Sequence, residues 1–405
     1  MANDMGNQPD GGDLSVQLVR KKLLLTYLAM GLILSSWYSR IPSVQMAIGL
    51  GNSAMGMLLF LGALGSLLMV IAAGPLVGRF GGGRMLYAST FLLLAAAITF
   101  AIGVCTGSAI IVGFGIILNG SSHALTNVPA NIEAAGVERR MRRTVMPQFH
   151  AVYALGSLLG ALIGSAFAAL GIPFSTHFAI IGVLCAAQRL WCIPGIVQDS
   201  DSAYLSLQSH IQSQPRKSAW LESRTLLIGI SVFAFSFSGG SANNWLSVAV
   251  VEGFCATEAY GGLIYAVFQT ALSLSRWFGT QIVDRMGRVN ILYLSAAASA
   301  LGVGVFCLAP SLPLAALGVT IWGVGSAMSF PIGVAAAADN PLLSPGRVSV
   351  VSAFASVAGL CAPAIIGLAG DWIGVRPGLL FVLLVLAVGA VSARANRTSE
   401  KNPDA

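Results

Sequence analysis

The chain has 405 residues, of which 56% are hydrophobic and only 9% charged, a balance too apolar for a water-soluble domain. Its net charge of +7 would suit a nucleic-acid partner if the basic residues clustered with aromatics. They are instead scattered through short segments between apolar runs, so that class is set aside. The cysteines Cys105, Cys185, Cys192, Cys255, Cys307 and Cys361 lie in or beside those runs without a C-x-x-C pair. They read as packing residues and give no disulfide framework, metal centre or cofactor site.

A membrane-spanning helix needs about 20 mainly apolar residues. Twelve such stretches follow one another, at 23–42, 54–77, 85–104, 108–133, 148–170, 174–193, 225–250, 259–283, 289–309, 313–337, 348–370 and 376–394. The first, RKKLLLTYLAMGLILSSWYS, starts like a signal peptide. It lacks a small-residue cleavage site and eleven more spans follow, so it reads as a retained helix. Residues 1–22 form a polar tail, expected to be disordered over 1–19, and 395–405 form a second tail. The longest polar interruption, 194–224, is rich in Ser, Gln and Asp and separates a six-span unit at 23–193 from another at 225–394.

If the first span runs outward, all 22 Lys and Arg residues except Arg40, Arg276 and Arg376 fall in inside segments. The positive-inside rule then places both termini in the cytoplasm.

Landmarks recur across the divide at an offset of roughly 200 residues. Trp37 in SSWYS matches Trp245 in NNWLS, the Gly78-Arg79-Phe80-Gly81 turn matches Asp284-Arg285-Met286-Gly287, and Pro129 matches Pro331. Four such correspondences in order, with Gly160 and Gly164 against Pro363 and Gly367, argue for a duplicated six-helix unit.

The loop GTQIVDRMGR, Gly279 to Arg288, and its degenerate copy GPLVGRFGGGR, Gly74 to Arg84, resemble the loop motif of the major facilitator superfamily of secondary transporters. WYSRIP, VERRMRRTVMPQFHAVYALG and SPGR are similar to stretches of a bacterial branch of sugar-type and uncharacterised permeases. The resemblance implies an all-α membrane protein of twelve transmembrane helices in two pseudo-symmetric six-helix bundles. Spans one, four, seven and ten would surround a central cavity, with two, five, eight and eleven at the interface of the halves. It also implies a cytoplasmic gate built on Gly279, Asp284, Arg285, Gly287 and Arg288, with Arg79 in the first-half copy and Arg276 two turns before the acid. The basic run Arg139, Arg140, Arg142 and Arg143 is the expected partner of Asp284. Gly78 stands where the first copy should carry its acid, so the two latches should be unequal.

Within the fourth span, Asn119, His123, Asn127 and Asn131 recur every four residues. Each step advances about 400° around an α-helix, so the four form one slowly drifting stripe. Unsatisfied polar groups facing lipid are costly, so the stripe must face protein or water. It either hydrogen-bonds between helices or lines a solute path. The other cavity candidates are Trp37, Tyr38 and Arg40 on the first span, Tyr153 on the fifth, Asn243, Asn244 and Trp245 on the seventh and Gln269 on the eighth, where Tyr265, Ser273 and Arg276 share its helical spacing. Arg40 and Arg276 are costly charges at or near membrane depth, each either structural or functional. His177 reads as interfacial, the third, sixth, ninth and twelfth spans as nearly bare of interior polar groups, and the row Gly156, Gly160 and Gly164 as a close helix contact, either sliding at the interface of the halves or static packing.

Related sequences often carry carboxylates where this chain has Asn127, Gly239 and Asn244. Proton coupling through a buried acid is therefore replaced by His123 with Glu133, by His150, or by none. The fifth span lacks the Gly-Pro of drug antiporters, and H-E-x-x-H, G-x-S-x-G and P-loop motifs are missing, which argues against an enzyme. The expectation is a carrier of a small polar, sugar-like solute in the bacterial inner membrane. Its partners are that substrate, the lipid bilayer and a proton if transport is coupled, and it is expected to act as a monomer. The rivals are a drug or metabolite exporter and a transport-inactive sensor or scaffold.

Overall fold

A computed structural model describes residues 11–143, 145–196, 219–340 and 343–397. The first half holds α1 (Gly11–Ser39), α2 (Ile41–Ile48), α3 (Asn52–Phe80), α4 (Gly82–Cys105), α5 (Ala109–Met141), α6 (Met146–Ala169) and α7 (Phe174–Cys192). The second holds α8 (Ser223–Phe254), α9 (Glu258–Met286), α10 (Arg288–Leu308), α11 (Leu312–Ser326), α12 (Ser329–Ala337), α13 (Ser344–Ile373), α14 (Val375–Gly378) and α15 (Phe381–Ser392). Among the described residues ten spans are long and apolar enough to cross a membrane. The remaining two, α1 and α9, carry basic residues within their length, Arg20, Lys21 and Lys22 in α1 and Arg276 in α9, and complete the expected twelve. Large apolar side chains such as Ile98, Phe114, Leu184, Leu301 and Val391 are exposed around the outside, as a bilayer requires.

Four expectations are corrected. Helix α1 begins at Gly11, inside the segment read as a disordered tail. Val19, Leu23 and Tyr27, spaced by one turn, bury one face of this extension against Val137, Phe149 and Cys192. The row Gly156, Gly160 packs on α1 of its own half: a Cβ there would stand 2.1 Å from the Leu28 carbonyl oxygen and 2.2 Å from that of Leu32. Finally, the sixth span, α7, is not bare. Its Arg189 is 3% exposed and donates to the Thr126 hydroxyl at 3.2 Å. His177, read as interfacial, is likewise fully buried, edge-on to Phe167 at 4.9 Å.

The tenth span breaks between α11 and α12. Pro331 has no amide hydrogen, so the carbonyl four residues earlier, Ala327, loses its helical donor. Arg276 Nε fills that vacancy from α9 at 3.1 Å. Gly279, one turn further along α9, allows the approach, since a Cβ there would meet Met328 Sδ at 2.5 Å.

The halves meet through α6 with α9 and through α3 with α13. Both described chain ends lie at one end of the bundle, the terminus end, and the turns at 49–51, 255–257 and 374 lie at the other, the far end.

Candidate functional site

At the far end the halves are joined by charge. Glu258, at the start of α9, forms an ion pair with Arg40 Nε at 3.1 Å and accepts from the Ser43 amide at 3.0 Å. Arg40 itself is 3% exposed and also donates to the Ile172 carbonyl at 2.9 Å and the Ser43 hydroxyl at 3.1 Å. Asp371 on α13 accepts from the amides of Asn52 and Ser53 at 2.8 and 3.1 Å, capping the orphan donors at the start of α3. The Ser165 hydroxyl donates to the Ala259 carbonyl at 2.6 Å. Just below, α3 and α13 cross at Gly56 and Gly367, where a Cβ on Gly56 would stand 2.6 Å from the Pro363 carbonyl oxygen. Arg376, the third arginine outside the basic segments, lies over the Phe254 ring at 3.9 Å and donates to the Phe306 carbonyl at 3.2 Å, anchoring one end of the second half.

Beneath this seal lies a cavity of about 530 Å³ between the halves. Its roof is a hydrogen-bonded group: Ser35 lies 3.4 Å from the Tyr265 hydroxyl, Tyr265 donates to Asn243 Oδ1 at 3.4 Å, and Gln269 Nε2 donates to Ser35 at 3.4 Å. Tyr38 packs edge-on to Tyr265, with ring centres 6.2 Å apart. Val70, Arg276 and Phe330 are exposed in its wall. Each lies about two-thirds of the way along its span from the far end, so the cavity opens toward the terminus end.

Of the expected cavity residues, Trp37, Tyr38, His123, Tyr153, Asn243, Asn244 and Gln269 line this wall, together with Asn119 and Arg276. Trp37 backs the wall rather than offering a free surface, being buried and stacked on Phe100 at 4.8 Å. Arg40 belongs to the seal. Trp245 is fully buried and donates to the Pro363 carbonyl at 3.1 Å, outside the wall. Asn127 and Asn131 also lie outside it. Asn131 donates to Asn127 Oδ1 at 2.6 Å and accepts from the Tyr27 hydroxyl at 2.6 Å, which ties α5 to α1.

Among the coupling candidates only His123 lines the cavity, where its ring stands 6.1 Å from that of Tyr153. Glu133 is buried on α5 outside the wall, and His150 is exposed, edge-on to Tyr27 at 5.9 Å.

The expected cytoplasmic gate lies partly outside the described residues, which do not include the Asp284 side chain. Arg288 pairs with Asp339 at 2.6 Å within its own half, Arg285 is exposed, and Arg79 lies over the neighbouring Phe80 ring at 5.2 Å. Gly287 ends α9 at φ +79°, a conformation that favours glycine. Ser35, Glu258 and Asp371 were not among the expected site residues, and Tyr265 entered only through the helical row it forms with Gln269. Tyr265 stands one turn before Gln269 on the same face, which was its only signal in the sequence.

The model of the Major Facilitator Superfamily matches residues 134–343 and 228–404, more than half of the chain. An uncharacterised transporter, y4wD, of Sinorhizobium fredii is 28% identical over 91% of this chain and 95% of its own length. An uncharacterised MFS-type transporter of Yersinia pestis is 27% identical over 92% of this chain and 94% of its own length. Among solved structures, the nucleoside transporter NupG superposes with a TM-score of 0.75 at 11% identity, covering 93% of this chain and 98% of that one. A D-xylose–proton symporter does so with 0.75 at 15% identity, covering 94% and 96%. With twelve spans in two halves, a cavity between them and this match, the chain belongs to the major facilitator superfamily of membrane transporters.

Proposed function

We infer that the chain carries a small polar organic solute across the bacterial inner membrane by alternating access, and that the structure is its inward-facing state. The observation that carries this reading is a polar cavity at mid-depth, sealed at one end by contacts between the halves and open at the other. The basic segments lie at the open end, which the positive-inside rule assigns to the cytoplasm. Rocking the halves would break the Arg40–Glu258 and Asp371 contacts and open the far end, while the terminus end closes around the gate loop.

Support for a sugar-like solute comes from the wall and from the neighbours. Amide groups of Asn243 and Gln269 can pair with solute hydroxyls, and Tyr38 and Tyr153 offer aromatic faces or edges, backed by the buried Ser35 and Tyr265. The neighbours named above carry a nucleoside and a pentose. His123 is the candidate placed to link proton and solute movement.

Counterflow in proteoliposomes preloaded with pentoses, hexoses, nucleosides and their acidic derivatives tests the reading. At least one should accumulate, and a Ser43→Cys, Glu258→Cys disulfide across the seal should stop it until a reductant is added. Flux that persists through the cross-link would remove alternating access at this seal, and no flux for any solute would leave the sensor reading.

A further inference from the structure

We propose that the cavity selects an anionic solute, a polar molecule bearing one carboxylate or a comparable acid, with Arg276 as the group that receives its charge. This deepens the carrier reading and rests on it for the solute's path.

Among the described residues Arg276 is the one fully charged side chain lining the cavity, and no carboxylate of theirs lines it or pairs with Arg276. The other two arginines outside the basic segments have partners for their charge: Arg40 pairs with Glu258, and Arg376 is held by carbonyls and the Phe254 ring. A cation at membrane depth is costly unless it is paired or hydrated. Arg276 is held in place without being neutralised. Its Nε is spent on the Ala327 carbonyl, freed by Pro331, while the exposed remainder of the side chain stands in the cavity. A guanidinium fixed through Nε still presents its two terminal nitrogens, the fork that matches a carboxylate.

A second positive charge lies behind the same wall. Arg189 is buried on α7 and bonded to Thr126, one turn from His123 on α5, and its Nε has no hydrogen-bond partner among the described residues. Where a solute with an ammonium group would meet two arginines and no acid, an acid would meet complementary charge, with Tyr153, Ser273 and Asn243 for its hydroxyls. The bland alternative is that Arg276 only clamps the broken tenth span. That role needs the bond to Ala327 and makes no demand on the charge of the solute.

The test needs no known substrate. In a full-length variant with the six native cysteines replaced, Ser273→Cys places a thiol one turn from Arg276. Its reaction rates with an anionic sulfonatoethyl and a cationic trimethylammonioethyl methanethiosulfonate are measured in nanodiscs and compared with those of 2-mercaptoethanol. The anionic-to-cationic ratio should rise roughly tenfold over the free thiol, should collapse in Arg276→Gln, and should persist in Arg276→Lys. A ratio equal to the free thiol's, a ratio untouched by Arg276→Gln, or a thiol that neither reagent reaches overturns the proposal. Should Ser273→Cys fail to fold, Ser236→Cys in the same cavity wall is read in the same way. Reagents added to one side of sealed vesicles separate the two readings. Charge preference with access from one side alone keeps the anion site and removes the carrier, and access from both sides without charge preference does the reverse.

Discussion

At the far end, Glu258 and Asp371 of the second half reach across to Arg40, Ser43, Asn52 and Ser53 of the first. At the terminus end, the ion pairs among the described residues of the second half lie within that half. Arg347 pairs with Glu222, and Asp339 holds both Arg224 at 2.8 Å and Arg288 at 2.6 Å. Arg224 further donates to the Ala395 and Arg397 carbonyls at 3.2 and 2.8 Å, which staples α8 to the end of the chain. The difference assigns two jobs to similar chemistry. Charged contacts within a half hold a bundle rigid, whereas charged contacts between halves can be broken together as the bundles rock.

Removing an acid from the seal should show this most strongly. Glu258→Ala leaves the buried Arg40 without its counter-ion, a loss of about 3–5 kcal/mol that falls on the far-end-closed state alone. A Ser35→Cys thiol at the cavity roof should then become reachable by an impermeant reagent from the far side, and an unchanged rate would mean that Glu258 does not hold the seal. Gly56→Val attacks the same seal by volume, since its Cβ would overlap the Pro363 carbonyl. Overpacking of about 1–3 kcal/mol should open the far end less, with the same thiol as readout. Asp371→Ala removes only a cap from α3, about 1 kcal/mol, and should give the smallest rise in far-side access of the three.

The sequence showed the architecture because it is written in local patterns: apolar run length, basic segments and a repeated turn. The site was legible only in part. A step of four residues overshoots a full turn by about 40°, so from Asn119 to Asn131 the stripe rotates by about 120°. That drift is why Asn119 and His123 face the cavity while Asn131, bonded to Asn127, turns toward Tyr27 on α1. One stripe thus serves both as wall and as helix contact. Arg40 announced a need for a partner, but Glu258 lies in the other half, and no local spacing points to it. The early start of α1 was hidden by its polar composition, although Val19, Leu23 and Tyr27 already carried a helical period.

Acid should separate the ends more gently than any substitution. Partial burial alone would push the Glu222 carboxyl up, but the Thr225 hydroxyl and the Arg347 guanidinium outweigh it and hold it below the ordinary glutamate value. A carboxylate depressed by folding contributes stability at higher pH and loses that contribution as pH falls through its folded value. Below the usual glutamate range of about 4.3, the Glu222–Arg347 contact should therefore weaken and the thermal midpoint fall slightly. Glu222→Gln should flatten that acid limb. Because the contact lies within one half, the same variant should leave far-side access to the Ser35→Cys thiol unchanged. A Glu222→Gln protein that opened at the far end would mean that the within-half clamp and the between-half seal are one coupled system, and the division of labour between the two ends would be lost.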